Sequence, residues 1–148
     1  MAAHARSTTV TFFEVQIASI KKQPVRCINQ LVLTSHIAIE DVDHTDLLLI
    51  PTIGGELINV IKNNQPLLAH IQKHFANQSD IASNCSGAFL LAEAGLLDGK
   101  EATTHWGYAS LFKARYPQVN LHAEKMITIA ENIYCSGGGM AWFDLALL

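Results

Sequence analysis

Residues 80–95 read DIASNCSGAFLLAEAG, and this stretch decides the fold. We predict a short strand over Asp80–Asn84 and a helical run after Cys85 that Gly95 closes as its C′ residue. Strand, tight corner and helix meet at Cys85. A corner of this kind exposes one side chain above the carboxyl end of a sheet and directs the free N–H groups of the helix towards it.

The upstream sequence supplies a second strand and a helix. Asp46–Ile50 (DLLLI) places four apolar residues between an acid and Pro51, which predicts a strand covered on both faces of a parallel sheet. A glycine pair follows it, and residues 64–66 then open a helix whose first turn suits a proline. A helix between strands is typical of an α/β fold. That helix carries an apolar face made by Leu67, Leu68, Ile71 and Phe75.

The remaining elements are predicted from local patterns. Alternation in Thr9–Ala18 predicts a strand, Lys21–Gln23 a turn, and Val25–Cys27 and Leu31–Leu33 short, partly exposed strands. In the second half we predict a strand at Thr103 and Thr104 that ends at His105, a helix over Gly107–Tyr116, a hairpin of Met126–Ala130 with Ile133–Cys135, and a last helix over Met140–Leu148.

Composition limits the class of protein. The 148 residues are 49% apolar and 16% charged, which is a globular balance for one domain, and the net charge of −3 argues against nucleic-acid binding by this piece. The three cysteines, Cys27, Cys85 and Cys135, contain no C-x-x-C pair, so we expect neither a disulfide framework nor a thiolate zinc site. This cysteine pattern fits a reducing cytoplasm, and we expect a soluble protein because no signal peptide and no apolar run of about 20 residues is present.

Both ends of the chain look cut. The last helix stops on apolar residues without a terminating glycine, proline or cationic turn, so we expect more chain after Leu148. Only the polar stub Ala2–Ser7 precedes Thr9, whereas a doubly wound sheet usually begins with a strand and a helix. We therefore expect the domain, residues 1–148, to lack its first strand and helix.

Cys85 is the leading candidate for chemistry. A helix N-terminus favours the reactive thiolate form, and the backbone N–H of Ser86 with that of Gly54 or Gly55 would form a donor pair for an oxyanion or a carboxylate. The alternative is that Cys85 is a small buried hydrophobic residue.

Other polar candidates have equally plain alternatives. His105 would reach the same crevice as an acid, base or hydrogen-bond partner, or be a satisfied core histidine. The run at residues 137–139, with Gly138 at its centre, would bring backbone N–H groups to an anion or simply allow close packing. His70 and His74 lie one helical turn apart, and we expect a solvated helix face and no metal site there.

Two segments carry a family resemblance. The stretches Asn84–Trp106 (NCSGAFLLAEAGLLDGKEATTHW) and Tyr134–Leu147 (YCSGGGMAWFDLAL) resemble the ThiJ/PfpI superfamily, which is class I glutamine amidotransferase-like. The resemblance is strongest to the N-terminal ligand-sensing domains of AraC-family transcriptional regulators, a branch that shares its pattern with isocyanide hydratases. It implies a flavodoxin-like three-layer α/β/α sandwich with a mostly parallel sheet, usually dimeric, with Cys85 at the elbow and His105 nearby.

Two departures from the family pattern concern activity. Proteases of the superfamily have a histidine after the elbow cysteine, where this chain has Ser86. Its enzymes also draw a carboxylate from the loop after the first strand, a segment not found here. Glu14 is no replacement, since we place it in a later strand. No visible acid would then activate Cys85, so we lean away from an enzyme.

Two main hypotheses follow. In the first, a crevice binds a small anionic or amino-acid-like metabolite, and binding changes the activity of a DNA-binding helix-turn-helix domain that would follow Leu148. Only that other domain would contact DNA. The protein would be a homodimer without a cofactor. The crevice would be lined by Gly54, Gly55, Cys85, Ser86, His105 and Gly138. In the second, Cys85 and His105 are catalytic residues of an isocyanide hydratase-like lyase or a hydrolase. A third possibility is that Cys85 is a redox thiol.

Overall fold

The computed structural model describes residues 13–148, apart from the side chain of Asn29. This part of the chain contains ten strands: β1 Ala18–Ser19, β2 Val25–Arg26, β3 Val32–Leu33, β4 Ile37–Ala38, β5 Leu47–Ile50, β6 Asp80–Asn84, β7 Glu101–Ala102, β8 Asn120–Leu121, β9 Ile127–Ala130 and β10 Ile133–Ser136. It contains five α-helices: α1 Leu57–Asn63, α2 Gln65–Ala76, α3 Ala88–Glu93, α4 Ala109–Arg115 and α5 Ala141–Leu145. Among these, no helix is long and apolar enough to cross a membrane.

A four-stranded, mostly parallel sheet organises the domain. Its order is β5-β6-β10-β9, with β5 and β10 parallel to β6 and β9 antiparallel to β10. Three two-stranded pairs accompany it: β1 with β4, β2 with β3, and β7 with β8. The α/β fold is the flavodoxin-like one expected from the sequence. Because β5, β6 and β10 run in the same direction, their carboxyl ends meet at one edge of the sheet, and the elbow lies there.

Helix α3 occupies the centre of the core. Phe89 and Leu91 are fully buried, and the Phe89 ring packs edge-on against Phe112 of α4 with centroids 4.9 Å apart. Burying one such side chain contributes about 1.5–3 kcal/mol. Gly95, at φ +74°, ends the helix as predicted, since its N–H donates to the carbonyl of Ala92.

A partly buried network of hydrogen bonds joins α3 to the end of α4. Arg115 makes a two-nitrogen contact with the carboxylate of Glu93, at 2.9 Å for the shortest pair, and the Tyr116 hydroxyl donates to the same carboxylate at 2.7 Å. Burial raises the pKa of Glu93, but the hydrogen bonds from Tyr116 and Arg115 outweigh it and hold that pKa below its usual value. The pair is only partly exposed, so it contributes more than a surface ion pair does.

Several predictions of local structure are confirmed. Strand β6 spans the predicted residues, the β9–β10 hairpin turns at residues 131 and 132, and β2 and β3 are short and exposed. The turn over Lys21–Gln23 is present, with Lys21 and Lys22 at positive φ. Helix α2 begins with Pro66 in its first turn, and α4 begins two residues later than predicted because Trp106–Tyr108 form a 3-10 turn.

The predicted strand over Thr9–Ala18 is wrong for residues 13–17 and holds only at Ala18. Residues 9–12 lie outside the described part, residues 13–17 are not a strand, and β1 begins only at Ala18. Phe13 and Val15 are exposed, and only Ala18 and Ser19 find strand partners, in β4. Alternation alone does not make a strand without a neighbour to bond. Glu14 is therefore not in a strand; it is exposed and accepts a hydrogen bond from Gln16.

Strand β5 is covered on one face rather than two. Leu47 and Leu49 are 54% and 52% exposed, whereas Leu48 and Ile50 pack against the core. Within residues 13–148, β5 pairs only with β6 and so lies at an edge of the sheet. A continuous apolar run predicts a doubly covered strand only when elements cover both of its faces.

His74 is also misplaced by the sequence prediction. It is fully buried, not solvated, and neither of its ring nitrogens has a hydrogen-bond partner among the described residues. Burial lowers its pKa, because the charged ring would be desolvated. His70 is half-buried, and the described residues contain no group of three or more His, Cys, Asp or Glu side chains placed to hold a metal ion.

Three further boundaries differ from the predictions. Thr103 and Thr104 are not strand residues; β7 ends at Ala102, and both threonine hydroxyls bond to backbone carbonyls instead. The last helix spans only Ala141–Leu145. Helix α1, Leu57–Asn63, was not predicted.

Candidate functional site

Cys85 stands at the corner between β6 and α3. Its φ is +57°, a conformation uncommon for a residue other than glycine, and a 3-10 turn over Cys85–Gly87 leads into α3. Such backbone strain costs about 1–3 kcal/mol and persists where the surrounding structure enforces it. Cys85 is partly buried, and its role in chemistry stays a prediction.

Gly87 allows the corner to close. A Cβ atom at this position would lie 2.7 Å from the carbonyl oxygens of both Ile50 and Pro51. Because these are backbone atoms at the end of β5, no side-chain rotation would relieve the overlap. Sequence reasoning missed Gly87, although a glycine two residues after the corner cysteine was a visible signal.

Ser86 fixes the loop that carries the glycine pair. Its hydroxyl is fully buried, donates to the carbonyl of Ile53 at 2.6 Å and accepts from the N–H of Ile53 at 3.1 Å. These bonds hold Gly54 and Gly55 beside the elbow, with Gly55 at φ +81°. The Ser86 hydroxyl is thus occupied within the protein, and the predicted binding role for its backbone N–H stays a prediction.

Gly138 lies directly against Cys85. A Cβ atom on Gly138 would be 2.9 Å from the Cβ and 3.1 Å from the Sγ of Cys85, and the φ of Gly138 is +93°. The preceding Gly137 uses its N–H to bond the carbonyl of Met126 at 2.9 Å. Of the two readings of this glycine run, close packing is the one that these contacts support.

His105 approaches the elbow through its neighbour. The hydroxyl of Thr104 donates to the Cys85 carbonyl at 2.9 Å, which ties the segment before His105 to the corner. The imidazole is partly exposed, stacks on Trp106 with ring centroids 5.3 Å apart, and accepts at Nδ1 a hydrogen bond from the Gly107 N–H at 3.1 Å. His105 is therefore not a satisfied core histidine.

A chain of polar side chains runs along the carboxyl ends of the central strands. The amide of Asn84 donates to the Thr52 hydroxyl at 3.2 Å, and its Oδ1 accepts from the Ser136 hydroxyl at 2.9 Å. These bonds link the ends of β5, β6 and β10 below Cys85. Sequence reasoning did not identify them, because the residues meet only when the strands are placed side by side.

Cys135 is separate from this chemistry. It is fully buried in β10, and burial raises the pKa of its thiol, which favours the unreactive protonated form. Cys27 lies between β2 and β3, where its Sγ is 3.9 Å from the Val25 carbonyl. Cys85 is the cysteine that the fold places at a strand-to-helix corner.

Known proteins resemble this chain over most of its length. It is 31% identical over 137 residues to isonitrile hydratase from Pseudomonas putida, covering 90% of this chain and 58% of the relative. It is 32% identical over 124 residues to the HTH-type transcriptional regulator CdhR from Pseudomonas aeruginosa, covering 84% of this chain and 36% of the regulator. The crystal structure of a ThiJ/PfpI family protein from Pseudomonas syringae has the same fold, with a TM-score of 0.77 at 23% identity over 90% of this chain and 54% of that one. Residues 7–147 match the DJ-1/PfpI family, and the chain belongs to it.

Proposed function

We propose that this domain binds a small ligand at the Cys85 elbow and is the ligand-sensing part of an AraC-family transcriptional regulator. The observation that carries the proposal is the hydrogen bond from the Gly107 N–H to Nδ1 of His105. It determines which ring nitrogen of the neutral imidazole carries the proton.

A neutral imidazole has one donor and one acceptor nitrogen. Since Nδ1 of His105 accepts from a backbone N–H, the proton lies on Nε2, and Nε2 is a donor. A general base for the Cys85 thiol would need a free acceptor nitrogen and, as a rule, an acidic group that bonds the other nitrogen. His105 instead offers a hydrogen bond to a ligand, which favours binding over proton abstraction.

The similarity to CdhR supports a regulatory role. The aligned part is little more than a third of that regulator, and we propose that the present domain is likewise joined to a helix-turn-helix domain after Leu148. We further propose a cytoplasmic homodimer whose crevice is lined by the six predicted residues around Cys85. Ligand binding would shift the population between two arrangements of the dimer, which requires a different affinity for each.

The second candidate is a cysteine-dependent hydratase. The identity to isonitrile hydratase extends over 90% of this chain, and the positive φ of Cys85 is the conformation of a nucleophile elbow. In such a reaction the Cys85 thiol would add its sulfur and its proton to the isonitrile carbon to give a thioimidate. Water would then add to the same carbon, the nitrogen would take up a proton, and the C–S bond would break to release the formamide and the free thiol.

One pair of assays separates the candidates. The protein and its Cys85→Ala variant are incubated with an alkyl isonitrile, and formamide is measured; we expect no turnover above the variant. In parallel, the melting temperature is recorded with a set of amino acids, carboxylic acids and neutral amides, and a true ligand at about 100 times its Kd stabilises the fold by about 2.7 kcal/mol. Turnover that depends on Cys85 would favour the hydratase, and a ligand set without any shift would refute the sensor.

A further inference from the structure

A hollow next to the elbow has an unusual lining. Its volume is about 240 Å³, and its walls include Thr104, Trp106, Met126, Gly138 and Met140. Gly138 lies so close to Cys85 that a Cβ atom built on it would be 3.1 Å from the sulfur, and the Thr104 hydroxyl donates to the Cys85 carbonyl. The hollow therefore adjoins the elbow, and of the six residues predicted to line the ligand crevice it includes Gly138.

The rim of this hollow is apolar and exposed. Trp106, Met126 and Met140 are 76%, 59% and 70% exposed, although large apolar side chains gain free energy when they are covered. One aromatic plane and two flexible thioethers around one small space form a surface that adapts to an apolar group.

Of the two charged residues in the wall, Lys125 is paired with a carboxylate outside the hollow, and Glu124 is an exposed carboxylate that would itself repel an anion. Lys125 Nζ donates to Glu101 Oε2 at 2.8 Å, and Glu124 Oε1 lies 3.1 Å from Nδ1 of His122. The hydrogen bond from Lys125 lowers the pKa of Glu101, which keeps that carboxylate charged and paired. Among the lining residues, Lys125 is the one cation, so an incoming carboxylate would have to compete with Glu101 for it.

From this lining we infer that the hollow selects an uncharged, apolar group of the ligand, not a carboxylate. Its volume of about 240 Å³ leaves room for a ring or a branched alkyl group. The inference rests on the proposed ligand crevice and narrows its ligand class. The sequence suggested an anionic metabolite. If the ligand has a charged end, that end would have to bind elsewhere in the crevice.

A matched pair of probes tests the inference. Benzyl alcohol and benzoate are titrated into the protein, and binding is followed by NMR chemical shifts and by tryptophan fluorescence. We expect benzyl alcohol to bind at least about tenfold more tightly, which corresponds to about 1.4 kcal/mol. Equal affinities, tighter benzoate binding or no binding of either probe would overturn the inference.

Two variants locate the preference. Met140→Glu places a charge in the rim and should weaken benzyl alcohol binding at least about tenfold, because the carboxylate would be partly desolvated. Ile129→Glu adds the same charge at a half-exposed apolar position outside the hollow and is the control, with no expected change. If both variants change the affinity for benzyl alcohol equally, the probe does not bind in this hollow.

A third variant should change the selectivity in the opposite direction. Glu101→Gln removes the charge that engages Lys125 and should tighten benzoate binding by about twofold to fivefold, because an exposed cation becomes available to the carboxylate. Unchanged benzoate binding would contradict the role of this pair. These probe titrations do not involve DNA. A complete regulator whose DNA binding responds to no ligand would refute the proposed function, whereas the preference of the hollow is tested by the probe affinities alone.

Discussion

Replacing Gly138 with alanine tests the packing that defines the elbow. The new methyl group would lie 2.9 Å from Cβ and 3.1 Å from Sγ of Cys85, closer than side-chain carbons normally approach. Overpacking of this kind costs about 1–3 kcal/mol. The φ of +93° adds about 1–3 kcal/mol for a residue with a side chain. We therefore expect Gly138→Ala to lower the free energy of unfolding by about 2–6 kcal/mol, a large part of the total for a domain of this size.

Gly139 supplies a matched control one residue away. Its φ is +63°, within the left-handed well, and nothing lies within 4 Å of a Cβ built there. Gly139→Ala should therefore cost only about 1 kcal/mol. Urea unfolding of both variants gives the comparison, and the rate of Cys85 alkylation by iodoacetamide reports whether the sulfur has moved.

A double-mutant cycle separates the contact from the backbone strain. In a Cys85→Gly background the atoms that crowd position 138 are gone, so Gly138→Ala should cost about 1–3 kcal/mol less than in the native background. The φ contribution of Gly138 is the same in both backgrounds. If the two costs agree within about 0.5 kcal/mol, or if Gly138→Ala and Gly139→Ala destabilise equally, Gly138 does not pack on Cys85 as described.

Three further substitutions probe the surroundings. His74→Leu removes two buried, unpartnered ring nitrogens and should stabilise the fold by about 1 kcal/mol at neutral pH, whereas His70→Leu should change little. Burial lowers the pKa of His74, so the unfolded chain binds a proton at this residue more readily than the folded protein does. The free energy of unfolding should therefore fall as the pH drops below the ordinary histidine pKa of about 6.5. Urea titrations from neutral to acidic pH should show a flatter decline in His74→Leu. Tyr116→Phe removes the hydrogen bond to Glu93 and should lower the free energy of unfolding by about 1–2 kcal/mol at neutral pH. Below about pH 4 the difference between the variant and the native protein should shrink, because a lowered carboxylate pKa stabilises the fold only while the group is ionised. Gly87→Ala meets two backbone oxygens and should give little folded protein by circular dichroism; a native-like spectrum and melting temperature would contradict the close approach.

Local patterns in the sequence predicted the parts of the fold that local physics controls. The strand, corner and helix around Cys85 follow from a short apolar run, a glycine-rich turn and a C′ glycine, all within 16 residues. The exposure of Leu47 and Leu49 was not predictable in this way, because it depends on which strands lie beside β5 and not on the DLLLI pattern. The same reason explains the failed strand before Ala18.

His74 shows a case in which the signal was present and was misread. It lies three residues after Ile71 and one before Phe75, so the helical period already places it on the apolar face of α2. The residue type suggested solvent, but the position determined burial. Where a polar residue falls on an apolar stripe, spacing is the better guide to its environment than its own polarity.

Backbone geometry, more than side-chain identity, is what favours the proposed sensor over the hydratase. Cysteine and histidine were recognisable from the sequence, yet a thiol and an imidazole serve a hydratase and a sensor equally well. What distinguishes them is a main-chain N–H two residues after His105, which occupies Nδ1 and leaves Nε2 as a donor. The His-x-Gly spacing that produces this bond is local and visible in the sequence, but its meaning depends on the 3-10 turn at Trp106–Tyr108 that directs the Gly107 N–H back to the ring. A side chain held as a hydrogen-bond donor can recognise a ligand, and this is the physical argument behind the sensor role that we propose.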